Sequence, residues 1–208
     1  KIGIDKSLME LSHPEIRENI EKGIRFFEKQ GAKCEYFSLG ITELLFPVYM
    51  VIAYSEAASN LARFDGIRYG FCSNDARNTE EVFVKTRSEG FGEEVKRRIL
   101  MGNFFLSQGK GETYYQRASK VRKLIFSEYK RLFQKYDLLI SPSYMGKPED
   151  LNSPQYGFFS GNQKELALIP ANLCGFPGIS LPCGFDMDKM PVGLHMMSDR
   201  FNDEFLLE

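Results

Sequence analysis

The chain has 208 residues, 43% of them hydrophobic and 26% charged, and its 27 Lys plus Arg are matched by 28 Asp plus Glu. That length suits one large domain or two small ones, and the charge balance gives no support to a general polyanion-binding surface. Two histidines (His13, His195) and four cysteines without CxxC spacing (Cys34, Cys72, Cys174, Cys183) supply no clustered ligands, so no metal site is expected.

The cysteines read as reduced thiols of a cytosolic protein. No apolar run reaches the roughly 18 residues of a membrane span; the longest, around Leu44 to Tyr54, contains Pro47 and is followed by Glu56. The chain opens on Lys1 without a signal peptide and without a methionine, and is expected to be part of something longer.

In chain order, "KIGI" predicts a short buried strand. "SHPEIRENIEKGIRFFEKQGAK" predicts a helix with Ser12 as its cap, Pro14 in the first turn and Gly31 at its end. Ile16, Ile20, Ile24 and Phe27 recur at helical spacing on one face. "CEYFSL" follows as a second strand, which makes a βαβ-like unit and favours an α/β fold. "ITELLFPVYMVIAYSEAASNLARF" predicts a buried helix that starts or kinks at Pro47. Three more helices follow, and in the last Val121, Leu124, Ile125, Leu132 and Phe133 are expected to be buried. "DLLISPS" is a strand, the stretch after Met145 reads as a loop, and "KELALIPANLCGFPG" is a short helix ending at Gly175. "ISLPCGF" and "PVGLHMM", joined by "DMDKM", predict a hairpin. The whole is one α/β domain, a mixed sheet flanked by helices, with a helical segment inserted between strands.

No GxSxG, GxGxxG or GxxxxGK[ST] is present, so neither a nucleophile elbow nor a phosphate-cradling loop is indicated. Ser141, Ser143 and Ser180 are nucleophile candidates by type alone, and His195 reads as a hydrogen-bonded strand residue. "EEVKRR" and "KVRK" read as solvated helix faces with pairs such as Glu94 to Arg98. An arginine turned inward to fork a carboxylate is the other reading. The residues alone reach a soluble α/β domain, part of an enzyme.

"VIAYSEAASNLARFDGIRYGF", "RSEGFGEEVKRRILMGNFFLS", "YYQRASKVRKLI" and "PANLCGFPGISLPCGF…PVGLHMM" together resemble the amidase signature family. "RFDGIRYG" with "RSEGFGEEVKRRI" is more specific, and is similar to the glutaminase subunits of tRNA-dependent amidotransferases. The likeness runs from Lys1 to about Phe205 and implies residues 1–208 to be the C-terminal portion of a single amidase-signature domain. The family's catalytic serine, bridging serine and lysine lie upstream of the matching region, and "GGSSGGS" is absent here, so this stretch alone is expected to be inactive.

The resemblance implies a glutamine-hydrolysing subunit that supplies ammonia for converting Glu-tRNA(Gln) to Gln-tRNA(Gln). It implies a tRNA-binding B-subunit and a small C-subunit as partners, tRNA contacted mainly through the partner, and no membrane. No cofactor is implied for this chain, ATP and magnesium belonging to the partner. The location implied is the cytoplasm, or an organelle matrix in a eukaryote. Glutamine is gripped in that family by a tyrosine, an arginine and an aspartate, which fall on Tyr49, Arg98 and, with one methylene more, Glu165. A stand-alone amidase of the same fold, or a non-catalytic interaction subunit, are the other readings. "RFDGIRYG" is expected to end the helix carrying Tyr49, with Arg63, Asp65 and Arg68 as an ionic lock and Gly66 and Gly70 giving backbone freedom.

Overall fold

The computed structural model describes residues 1–148 and 162–208, so part of the loop read after Met145 lies outside the described residues. Two compact units emerge, Lys1–Pro47 with Val121–Glu208, and Val48–Lys120. The inserted helical segment is thus a unit of its own, and its boundaries fall inside helices, where composition does not shift.

The first unit is built on a five-stranded mixed sheet of order β2-β1-β3-β5-β4. Its strands are β1 (Ile2–Asp5), β2 (Cys34–Phe37), β3 (Leu138–Pro142), β4 (Gly178–Phe185) and β5 (Pro191–Met197). β1 pairs in parallel with β2 and β3, and β5 runs antiparallel to both β3 and β4. The parallel β1–β2 pair needs a crossover, supplied by α1 (Lys6–Leu11) and α2 (Pro14–Lys29).

Alternation along the strands separates two faces. Ile2, Ile4, Ile140, Leu194 and Met196 pack with Ile16, Ile20 and Ile24 of α2 in one buried cluster. The opposite parity carries Asp5, Leu139, Ser141, His195 and Met197, which with Tyr129 line a small cavity. Tyr129 belongs to α6 (Tyr115–Phe133). The hairpin is tied to α2 by Asn19 Nδ2, which donates to the Glu15 carbonyl at 2.9 Å and the Phe185 carbonyl at 3.1 Å. Lys147 joins it by pairing with Glu15 and Asp188, each at 2.8 Å.

Three expectations are corrected. Ser12 does not cap α2: it ends α1, its hydroxyl donating to the Leu8 carbonyl at 2.7 Å, and His13 stands at the start of α2. α1 itself has no counterpart among the predicted elements; Asp5 caps it by accepting from the Ser7 and Leu8 amides. In α6 the buried positions are Ala118, Ile125 and Tyr129, while Leu124 is 49% exposed, because one helical face cannot hold both 124 and 125 fully inside.

The 20-residue helix α3 (Thr42–Leu61) runs through Pro47 rather than starting there. It is the one helix among the described residues long and apolar enough to cross a membrane, with a mean hydropathy of 1.2 and 33% of the window buried. The apolar residues of its first half and the alanines beyond them keep that average high although Ser, Glu and Asn interrupt the second half.

The second unit is helical. It contains the later part of α3, α4 (Thr79–Gly90), α5 (Glu93–Leu106) and the start of α6. α3 ends at "RFDGIRYG" as expected. Asp65 accepts from the Ile67 amide at 2.9 Å and from Arg68 Nε at 3.0 Å. Arg63 joins through its backbone carbonyl, which accepts from Arg68 at 3.5 Å, rather than through a charge pair with Asp65. Gly66 and Gly70 both take left-handed φ, +72° and +79°. The last carbonyls of α3 need partners, and Arg87 of α4 supplies one, donating to Leu61 at 2.6 Å and to Phe64 at 3.1 Å.

The remaining described elements of the first unit are a 3-10 helix (Asn162–Leu168), α7 (Ile169–Cys174) and α8 (Asp203–Leu207). α7 closes on Gly175 in left-handed conformation, φ +67°.

Candidate functional site

The second unit brings α5 against α3 through a glycine. A Cβ at Gly102 would lie 2.0 Å from the Tyr54 carbonyl oxygen and 2.7 Å from the Ala58 Cβ. On α5, Glu94, Arg98 and Gly102 share one face at i,i+4 spacing. Anchoring Gly102 on α3 therefore turns Arg98 and Glu94 toward the same helix, and toward Tyr54.

Glu94 is gripped from two sides. Arg97 Nε and Nη2 donate to its two oxygens at 2.7 and 2.6 Å, the bidentate geometry guanidinium favours, and Arg98 Nε donates at 2.9 Å. These hydrogen bonds, Arg97 first, hold the Glu94 carboxyl down at about 2. Both guanidiniums lie over the Tyr54 ring, at 5.7 Å for Arg97 and 5.6 Å for Arg98, and Arg97 also donates to the Tyr54 hydroxyl at 3.3 Å. Tyr54 is only 3% exposed, so the ring is a fixed surface.

Arg98 meets Glu94 through Nε alone among the described residues, leaving both terminal nitrogens unbonded on a side chain 44% exposed. Its charged form is favoured by Glu94 first, then by Tyr54 and Tyr49, so Tyr49 lies within electrostatic reach of it. Tyr49, on α3, is half-buried. The net charge of Glu94 with two arginines is positive, and the open edge of Arg98 suits a planar carboxylate.

Glu165 belongs to the first unit, exposed in the first turn of the 3-10 helix. In that unit a cleft of about 610 Å³ is lined by Leu11, His13, Phe46, Met145, and by Lys164 and Leu166 on either side of Glu165. Tyr54 and Arg97 are not among the residues the sequence singles out, and Glu94 reads there as a surface partner of Arg98. The signal available is the phase of α5, since 94, 98 and 102 coincide with a glycine, but the facing tyrosine stands 43 residues from Arg97.

Of the serines read as nucleophile candidates, Ser141 and Ser180 sit on the sheet and Ser143 follows the end of β3. Ser141, His195 and Ser180 are paired across β3, β5 and β4. Ser141 Oγ is 3.4 Å from His195 Nδ1, long for a hydrogen bond, and burial pushes the imidazole down to about 4. Gly178 leaves room for the ring: a Cβ there would lie 2.7 Å from His195 Nε2. A neutral, fully packed imidazole at this place fills the sheet face. Ser143 donates to Ser180 at 2.9 Å.

Residues 1–207 match the Amidase family, and the chain belongs to it. Along its whole length it is 43% identical to the A-subunit of Glutamyl-tRNA(Gln) amidotransferase from Streptococcus pneumoniae, covering 43% of that protein. It is 44% identical to the protein of the same name from Streptococcus uberis, over 98% of this chain and 42% of that one. The solved structure of the corresponding A-subunit from Thermotoga maritima superposes with a TM-score of 0.71 at 29% identity, over 97% of this chain and 39% of the other. The chain thus spans less than half the length of the curated relatives it matches. The mixed sheet with flanking helices is the expected fold class.

Proposed function

We propose that the chain is the C-terminal portion of an amidase-signature domain whose catalytic half precedes it, and that the whole is the glutamine-hydrolysing subunit of a tRNA-dependent amidotransferase. The observation that carries this is identity of 43% along the entire chain to a protein of that name, together with the "RFDGIRYG" and "GFGEEVKRR" stretches. A serine of the preceding half attacks the side-chain amide of glutamine, ammonia leaves, and water cleaves the resulting ester to give glutamate. A partner receives the ammonia and, with ATP and magnesium, amidates Glu-tRNA(Gln). The tRNA-binding B-subunit and the small C-subunit are the partners this implies, in the cytoplasm or an organelle matrix.

This chain's part is recognition. Free glutamine carries a carboxylate and an ammonium. The two terminal nitrogens of Arg98 fork the carboxylate, Tyr49, within electrostatic reach of Arg98 on the same unit, is the tyrosine of the donor site, and Glu165, on the first unit, stands where the family's aspartate receives the ammonium. The test is glutamine hydrolysis by the full-length protein, alone and with its partner subunits and glutamyl-tRNA(Gln). Stimulation by the assembled complex supports the reading. Turnover of other amides without turnover of glutamine overturns it.

A further inference from the structure

We infer that Glu94 is a positioning residue for substrate carboxylate, clamping Arg98 by Nε against Tyr54 so that its two terminal nitrogens face outward as a fixed fork. The inference rests on the proposed role of Arg98 in binding glutamine.

The geometry separates two jobs on one carboxylate. Arg97 takes Glu94 bidentately, at 2.7 and 2.6 Å, and ends on the Tyr54 hydroxyl at 3.3 Å. That arginine is spent within the protein and fixes the carboxylate. Arg98 takes only the remaining direction of the same Oε1, through Nε, the one nitrogen that an end-on ligand held by both terminal nitrogens leaves unused. A guanidinium has five N–H groups, and the Nε–H donated to Glu94 leaves four on the terminal nitrogens. Face-on, the same group is held by the Tyr54 ring at 5.6 Å. One in-plane contact and one stacking contact stop a long side chain from rotating, which lowers the entropy lost when ligand binds. Arg98 would otherwise sweep a wide arc, being 44% exposed.

The charge of Glu94 and its positioning act in opposite directions. A negative charge beside the guanidinium weakens its attraction for another carboxylate. If Glu94 acted by charge alone, Glu94→Gln would therefore lower KM for glutamine. If it acts by holding the fork, the same substitution raises KM, because a neutral amide grips two guanidiniums less firmly.

The experiment compares full-length wild type, Glu94→Gln, Glu94→Asp and Arg98→Ala. Glutamine is set against 4-aminobutanamide, which is glutamine without its α-carboxylate, used as substrate or competitive inhibitor. Glu94→Gln is expected to raise KM for glutamine about tenfold with kcat changed less than about twofold, while binding of 4-aminobutanamide stays the same. Glu94→Asp, which keeps the charge, recovers part of the loss. A KM that is unchanged or lower in Glu94→Gln, with Arg98→Ala still impaired, overturns the positioning role and leaves the role of Arg98 intact. Equal weakening toward both compounds also overturns it, since that reports general damage. If Arg98→Ala binds glutamine normally, the role of Arg98 fails and the inference falls with it.

Discussion

Gly102 of α5 lies so close beneath the Tyr54 carbonyl of α3 that a methyl group there would overlap the oxygen, at 2.0 Å. The obstacle is backbone, which cannot rotate away. Gly102→Ala must push the helices apart, at a cost on the order of 3 kcal/mol or more, even though alanine is the better helix former. Urea unfolding checks this, and a gain in stability would mean the two helices do not meet at this glycine.

Arg98→Ala removes the fork while leaving α5 anchored through Gly102. In the full-length enzyme kcat/KM for glutamine should fall by about 100-fold or more, the size of a lost charged hydrogen-bond pair. Arg98→Lys should recover only part, because ammonium is a point charge. Glu165→Ala should show a comparable or smaller loss; normal kinetics there would mean that the glutamate does not receive the ammonium.

At Gly66 two penalties coincide. Its φ is +72°, and a Cβ would lie 2.4 Å from Thr86 Cγ2 and 2.8 Å from the Phe71 carbonyl. Gly66→Ala should cost roughly 2–4 kcal/mol. Gly70→Ala, where the obstacle is the Phe64 side chain, should cost less. Thermal unfolding of the two variants should rank them in that order.

Burial moves two groups around the small cavity of the first unit in opposite senses. Asp5 is raised from 3.8 to about 6, by desolvation against two backbone hydrogen bonds, and His195 is lowered from 6.5 to about 4. Near pH 5 the folded protein holds a proton on Asp5 that the unfolded chain has released. It also lacks one on His195 that the unfolded chain has bound. The two linkage slopes cancel, so this pair leaves stability nearly flat between pH 4 and 6. Asp5→Asn, which keeps the cap's acceptor, exposes the histidine: stability should then fall as pH drops from 6.5 toward 4. His195→Gln exposes the aspartate: stability should fall as pH rises from 3.8 through about 6. Each slope approaches about 1.4 kcal/mol per pH unit at most, and pH-dependent urea midpoints measure it. Parallel profiles in both variants would contradict the opposed shifts.

Where periodicity is long, the chain can be read directly. Ile16, Ile20 and Ile24 lie buried on α2 as their spacing requires, and the hairpin around "DMDKM" pairs in the expected sense. α1 is not legible because six residues are too few to show a period, and Ser12 before Pro14 imitates a cap. Its hydroxyl instead turns back to Leu8. In α6 the composition leaves the phase open, and Tyr129, absent from the expected core, occupies the buried position that Leu124 does not. For the site, Arg98 comes from resemblance and not from pattern. A Glu-x-x-Arg-Arg run on a helix reads the same whether it faces water or a neighbour. The distinguishing fact is the glycine's approach to α3, which only the packing shows.

The Glu94 trio contains no group that changes its protonation in ordinary buffers. Its carboxyl titrates only at about 2, and guanidinium keeps its proton throughout the working range of proteins. A pocket assembled this way holds the same electrical state in mild acid and mild alkali. For the recognition proposed above, any acid–base dependence of glutamine turnover must then originate outside this trio, and its hold on a substrate carboxylate should stay level from mild acid to mild alkali at constant ionic strength.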